Sequence, residues 1–161
     1  MDPIQYRPIG IIHTPHRTTE GTPIQPTGAR EVEGSIEIFP EYTPGLMDLS
    51  GFSHIFIIYH FHLARKYSLA VKPFLDPQKR GLFATRAPAR PNPIGLSVVR
   101  LIDITNATIR VRDIDVVDGT PLLDIKPYVP EFDVRAVDRI GWLGKKTAKV
   151  EEVVDDGRFS S

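Results

Sequence analysis

Cysteine does not occur in the 161-residue chain, which excludes a disulfide framework, thiolate zinc and iron–sulfur sites and a thiol nucleophile. Any metal would have to be held by the five histidines and the carboxylates. No apolar run approaches the ~18 residues that a membrane-spanning helix needs, and the opening residues MDPIQYRPIG lack the basic start and apolar stretch of an export signal. These absences predict a soluble, cytoplasmic protein without a membrane partner. Net charge is also missing, with 20 Lys and Arg against 20 Asp and Glu. Neutrality argues against indiscriminate binding to nucleic acid, yet it is an average. Residues 79–112 carry Lys79, Arg80, Arg86, Arg90, Arg100, Arg110 and Arg112 against Asp103 alone, six net positive charges that the rest of the chain offsets. Such a segment is either a set of solvated strand-edge charges or an anion-facing surface.

Repeats of 20–50 residues, low-complexity segments and linkers are lacking too, so solenoids and propellers are excluded and a single domain over residues 1–161 is predicted. Proline is what the chain has in excess, with 15 residues spread along it, and it disfavours long helices. Strand patterns are predicted at residues 9–13, 34–39, 54–63, 80–85, 96–104, 107–114 and 122–128. The run over 54–63 is β-branched and aromatic, which predicts a central strand covered on both faces. Short connections at Thr105-Asn106 and Asp118-Gly119 predict that the last three strands form an antiparallel meander. Residues 14–30 read as a long polar loop of the kind that is often functional. Residues 45–49 allow one helical turn, and Val134, Val137 and Ile140 have helix-like spacing within 133–143. The predicted fold class is mainly β: a small antiparallel β-barrel with one short C-terminal helix.

Nucleotide-binding patterns of the G-x-G-x-x-G and G-x-x-x-x-G-K-[ST] types and the G-x-S-x-G elbow are missing. On a strand His60 and His62 share a face, but no histidine follows them to complete a barrel metal site. They are predicted as core or pocket histidines, with no metal; a metal site begun by this pair is the alternative. Residues 85–97, TRAPARPNPIGLS, are more informative. Pro88, Pro91 and Pro93 fix φ and bias Ala87, Arg90 and Asn92 to extended conformations. The resulting stiff loop would present Arg86 and Arg90 to a carboxylate or phosphate with little loss of entropy. In DGTPLLDIKPYVP, residues 118–130, an extended chain puts Asp124, Lys126 and Tyr128 on one face and Leu123 and Ile125 on the other. The Asp124 and Lys126 pair is either a surface ion pair worth at most about 1 kcal/mol or a device for holding ribose hydroxyls in a pocket.

The segments IGIIHTP (9–15), TPIQP (22–26), GFSHIFIIYHFH (51–62), GLFATRAPARPNPIGLS (81–97) and VVDGTPLLDIKPYVP (116–130) together resemble the TsaA-like, or TrmO, family. The resemblance runs over about residues 6–133, with 134–161 as an extension. It implies a small β-barrel methyltransferase that uses S-adenosylmethionine, works as a homodimer and methylates N6 of threonylcarbamoyladenosine in the tRNA anticodon arm. It implies S-adenosylmethionine binding by Pro23, Ile24, Gln25, His62, Leu63, Arg86, Leu96, Asp124, Ile125 and Lys126. Arg90, Asn92 and Tyr128 are expected toward the substrate. Asp124 is expected as base or orienting group, with His62 competing for the first role, and Lys126 as stabiliser of a developing anion. The chain departs from the bacterial pattern in residues 61–80, which lack a Gly- and Trp-rich loop, at Ile24, where a basic residue is common, and in having only residues 131–161 after the last motif. Two copies pooling their 79–112 segments would offset the RNA contacts these parts supply elsewhere. A barrel that binds S-adenosylmethionine or RNA without turnover, or methylates another RNA base or a small molecule, is the alternative expectation.

Overall fold

The computed structural model describes residues 1–20, 22, 29–74 and 77–144. Pro23, Ile24 and Gln25 lie outside the described residues. Six strands close into an antiparallel barrel: β1 (Gly10–His13), β2 (Glu33–Ile38), β3 (His54–His60), β6 (Ile94–Thr105), β7 (Thr108–Arg112) and β8 (Thr120–Pro127), in the order β1-β2-β7-β6-β3-β8. Two short strands, β4 (Ala70–Val71) and β5 (Arg80–Gly81), pair as a separate ribbon. The alternation visible in the sequence does the sorting. Ile12, Ile36, Ile38, Ile55, Ile57, Val99, Ile109, Val111 and Leu122 point inward and pack the interior as a core. Each fully buried side chain of this kind supplies roughly 1.5–3 kcal/mol. No helix among the described residues is long and apolar enough to cross a membrane.

Four expectations need correction. Strand β3 is covered on one face only: Ile55, Ile57 and Tyr59 are buried while His54, Phe56, Ile58 and His60 are half-exposed. A closed barrel has a single interior, so alternate side chains of β3 point out of it. The meander also stops early. β6 and β7 form the expected hairpin, with Asn106 at φ 52° in its turn, but β7 uses its other edge for β2 and does not pair with β8. Residues 113–119 instead cross the end of the barrel, sealing it with buried Ile114 and Val116, and β8 enters between β1 and β3 after Gly119 at φ 75°. Residues 80–85 are strand only at Arg80–Gly81, because Leu82–Ala84 turn as a 3-10 helix that buries Leu82. Finally, the only α-helical turn among the described residues is Pro130–Asp133, ahead of the expected stretch. Val134 is extended, Gly141 has φ 58°, and Val134, Val137 and Ile140 are exposed. Helix-like spacing produces no α-helix over 134–140, where there is no core surface for its apolar face.

The topology gathers the informative segments. β3 runs antiparallel to both β6 and β8, so the chain leaves β3 at the end where it enters β6 and β8. β1 leaves at the same end, with Ile12 opposite Thr120, and so does β7. The segments after β1, after β3, before β6 and between β7 and β8 therefore meet at one end of the barrel. Hydrogen bonds tie them: Phe61 N–H to the Pro93 carbonyl at 2.8 Å, Asp118 N–H to the His16 carbonyl at 2.7 Å, and Thr14 N–H to Asp118 Oδ1 at 3.1 Å.

Candidate functional site

The proline-rich loop before β6 behaves as its φ restrictions dictate. Extended backbone alternates side chains, so Ala87 and Ala89 turn inward onto Val71, Leu82 and Phe74, a small second core under the β4–β5 ribbon. Arg86 is left exposed. Arg90 is half-exposed, and its Nη1 donates to the carbonyls of Thr85 (3.0 Å) and Ala87 (3.2 Å) while the guanidinium lies 5.8 Å from the Phe83 ring centre. One edge of Arg90 thus braces the loop. Exposed Asn92 uses its carbonyl to accept the Ile94 N–H at 2.8 Å. The entry to the loop is pinned from the C-terminal side, where Trp142 Nε1 donates to the Ala84 carbonyl at 2.7 Å and Arg80 sits over the indole.

Beside that loop, the outer wall of β6, β3 and β8 arranges its side chains in rows. Leu96, Ile58 and Asp124 form one, Ile94 and His60 lie above them, and Val98, Phe56 and Lys126 below. Leu96 and Asp124 are two strand spacings, about 10 Å, apart. Leu96 is 58% exposed and Ile94 41%, so the wall offers an apolar strip edged by a carboxylate. Lys126 Nζ lies 2.7 Å from Asp124 Oδ2, and the Ile125 N–H donates to Asp124 Oδ1 at 2.9 Å. Both Asp124 oxygens are therefore engaged. The Ile125 side chain packs against the core beside Ile57 and offers only backbone to this wall. A register shift between Ile58 and Tyr59 puts Asp124 and Lys126 on the outer face after Leu122 has pointed inward. Tyr128 lies farthest away, its ring edge-on to Phe56 and His54 and its N–H on the His54 carbonyl, toward the opposite end of the barrel. The structure thus brings Leu96, Asp124 and Lys126 together across β3, with His62, Leu63 and Arg86 at the adjoining end, and separates Tyr128 from them.

His62 follows the end of β3 and contacts Thr120, its Nδ1 3.3 Å from Oγ1. The Thr120 hydroxyl already gives its one hydrogen to the Val117 carbonyl at 2.6 Å, so in this contact the imidazole must donate. The neutral ring is accordingly the Nδ1–H tautomer, with the Nε2 lone pair free to accept. Burial, and then the nearby His60, hold its pKa below the ordinary 6.5. Nitrogen-15 shifts should report the Nδ1–H tautomer and an apparent pKa under 6.5, and Thr120→Val should scramble the tautomer; an Nε2–H ring in the parent chain would overturn this assignment. Among the described residues no three His, Asp or Glu side chains stand where they could share a metal ion.

Three polar residues that sequence reasoning did not single out meet inside the same end. Tyr59 OH lies 3.1 Å from Ser97 Oγ, and Ser97 Oγ donates to Asp115 Oδ1 at 2.7 Å. Part of Asp115 meets solvent, but its carboxyl is enclosed by enough protein that burial raises its pKa to about 6, against the opposing pull of the Ser97 hydrogen bond and the Arg86 charge. Burial also raises Tyr59 strongly. One signal was present: Gly95, Ser97, Val99 and Leu101 share the buried phase of β6, so Ser97 is a hydroxyl in a core position that needs a partner.

The positive segment is less available than its composition implies. Arg112 pairs with Glu31 at 3.0 Å and Glu33 at 2.8 Å, and Arg110 with Asp103 at 2.7 Å and Glu33 at 3.4 Å. Those two arginines belong to a cross-strand network of exposed charges.

Comparison with known proteins places these features in context. A family model described as tRNA-methyltransferase O N-terminal domain matches residues 11–134. A probable S-adenosyl-L-methionine-binding protein of Pyrococcus abyssi is 58% identical over 158 residues, covering 98% of this chain and 86% of the relative. The tRNA (adenine(37)-N6)-methyltransferase of Escherichia coli is 32% identical over 142 residues, 81% of this chain and 60% of that enzyme. A crystal structure of TrmO from Pseudomonas aeruginosa superposes with a TM-score of 0.74 at 38% identity, covering 87% of this chain and 62% of that one. The chain therefore spans less than two thirds of the bacterial proteins it matches.

Proposed function

Because the chain belongs to the tRNA-methyltransferase O N-terminal-domain family, we propose that it is an S-adenosylmethionine-dependent methyltransferase acting on N6 of the adenosine beside the tRNA anticodon, in its threonylcarbamoyl form. The match over residues 11–134 carries this reading. The chemistry of the site fits the donor: the apolar strip of Leu96 and Ile58 suits adenine, the Asp124 carboxylate at its edge suits ribose hydroxyls, and the exposed Arg86 on a stiff loop suits the methionine carboxylate. Leu63 and Lys126 complete the candidate set, with the Pro23-Ile24-Gln25 segment and the Ile125 backbone.

Bound S-adenosylmethionine supplies a methyl group already activated by its sulfonium. The protein's task is then alignment and removal of the N6 proton. That N–H lies between an aromatic ring and a urea-type carbonyl, so a weak base suffices. We assign the proton to His62 Nε2, whose lone pair is free, and give Asp124 the orienting role because Lys126 and the Ile125 N–H occupy its oxygens. Lys126 offsets the developing negative charge. Asn92 and the free edge of Arg90 face the RNA in this scheme, with Tyr128 serving as a contact farther along the wall. Exposed Ile94, with Phe83 at 76% exposure, favours a homodimer that meets the molecule beside the donor strip, in the cytoplasm where tRNA is found.

Incubation with S-adenosylmethionine and threonylcarbamoylated tRNA is expected to add one methyl to the modified nucleoside, read by mass spectrometry of the digest. No methylated nucleoside from a donor-binding preparation would defeat the proposal. The rate should rise with pH through a pKa below 6.5 and be flat at neutrality, since His62 must be unprotonated to act; His62→Asn should lower kcat by about 10²-fold or more and abolish that limb. A second reading, donor binding without turnover, accords with the similarity to the probable S-adenosyl-L-methionine-binding protein of Pyrococcus abyssi. The same incubation separates the two.

A further inference from the structure

Residues 131–140 are exposed at every position, and no hydrogen bond among the described residues ties them to a strand of the barrel. The chain then returns. It turns at Gly141, with φ 58°, and Trp142 and Leu143 are half-buried again. Trp142 is the single tryptophan of the sequence, and it meets a segment 58 residues away at two points. Its Nε1–H donates to the Ala84 carbonyl across 2.7 Å, and the Arg80 guanidinium lies 5.8 Å from the indole centre. An indole has one N–H to give, and Trp142 gives it here.

Ala84 ends the 3-10 turn that leads into the proline-rich loop. Neighbouring carbonyls are taken by the loop itself, since that of Leu82 accepts the Thr85 N–H at 3.0 Å and its hydroxyl at 2.8 Å, and that of Thr85 accepts Arg90 Nη1 at 3.0 Å. The Ala84 carbonyl is met from outside the loop, by Trp142. Arg86 follows two residues on, between Thr85, whose Oγ1 accepts the Ala87 N–H at 3.3 Å, and the buried Ala87. A displacement of the turn therefore passes along a short, hydrogen-bonded backbone to Arg86. The family match ends at residue 134, so this contact lies beyond the part of the chain that it covers.

We propose that Trp142 is a positioning residue, the tip of a detachable strap that latches the 82–84 turn so that the loop presents Arg86 to the carboxylate of the methyl donor. A stretch as exposed as 131–140 contributes little stability of its own, which leaves the latch to the two contacts of the indole. An arginine whose backbone is already held loses less freedom on binding. Coupling is reciprocal: if the latched strap favours the donor's carboxylate, the donor favours the latched strap by the same factor. The proposal rests on the reading of Arg86 as the donor's carboxylate ligand.

Two ligands test it by calorimetric titration: S-adenosylmethionine, and 5′-methylthioadenosine, which has the nucleoside and thioether but no carboxylate. Trp142→Phe, which keeps an aromatic ring and removes the N–H, should weaken S-adenosylmethionine about fivefold and leave methylthioadenosine within about twofold. In an Arg86→Ala background the same change should have no further effect on S-adenosylmethionine. The lone indole also reports on itself, because acrylamide should quench Trp142 less in saturating S-adenosylmethionine and no less in methylthioadenosine. Equal weakening of both ligands by Trp142→Phe would mean a merely structural role and overturn the proposal. So would additivity with Arg86→Ala, or quenching that S-adenosylmethionine leaves unchanged. Unaltered S-adenosylmethionine affinity in Arg86→Ala would instead remove the assignment of Arg86, a distinct failure that takes the premise with it.

Discussion

An Asp115→Asn chain is expected to be more stable than the parent at neutral pH, by up to about 3 kcal/mol. Burial raises the Asp115 pKa from 3.8 to about 6, with Ser97 and Arg86 offsetting part of the desolvation. A carboxyl group whose folded pKa lies above its unfolded one stabilises the fold when protonated. Its contribution is complete below pH ~4 and is lost as pH rises through about 6. At pH 7 the ionised group is therefore a net cost of roughly two pKa units, which asparagine does not carry. Thermal melts should give the variant a gain of up to roughly 6–12 °C near pH 8, shrinking toward nothing near pH 4. A variant no more stable near pH 8 would show that the carboxylate is not desolvated as described.

Gly95→Ala should act in the opposite sense, destabilising by about 3 kcal/mol, the upper end of what overpacking a core usually costs. The new methyl would overlap the Tyr59 ring, and that ring has no retreat. Phe61 packs edge-on against it at 5.3 Å, and its hydroxyl is held at Ser97. The urea midpoint should fall with little change in slope, and Tyr59→Leu in the same chain should recover part of the loss by vacating the space. A Gly95→Ala chain as stable as the parent would mean that the ring is free to move and that its hydrogen bond to Ser97 does not hold it in place.

Much of the barrel was legible because its determinants are local. Period-two alternation over residues 34–39 and 96–104 marks strands wherever they end up, and the prolines around Ala87 and Ala89 force the extended geometry that turns two small residues inward and leaves Arg86 outward. The five motifs also carried the family resemblance. Where local pattern misled, a tertiary partner was missing or taken. Val134, Val137 and Ile140 have helical spacing but no surface to pack on. β7 and β8 are joined by a short connection, yet β7 gives its free edge to β2.

Charge and catalysis depended still more on distant partners. Counting residues 79–112 describes a basic segment, but Arg110 and Arg112 are met by Glu33, 77 and 79 residues away in the chain, because β2 lies beside β7. Asp124 and Lys126 read correctly as neighbours on one face; that both carboxylate oxygens are engaged follows only from the folded geometry. Tyr59, Ser97 and Asp115 are 38 and 18 residues apart and look ordinary one at a time. The absence of cysteine, the abundance of proline and the strand alternation are properties of single residues and near neighbours, and they suffice for the class of fold and the stiffness of the loop. Tautomers, ion pairing and the chain from Tyr59 through Ser97 to Asp115 are relations between residues that the chain brings together only by closing the barrel, since electrostatic and hydrogen-bond energies depend on distances between strands rather than along them.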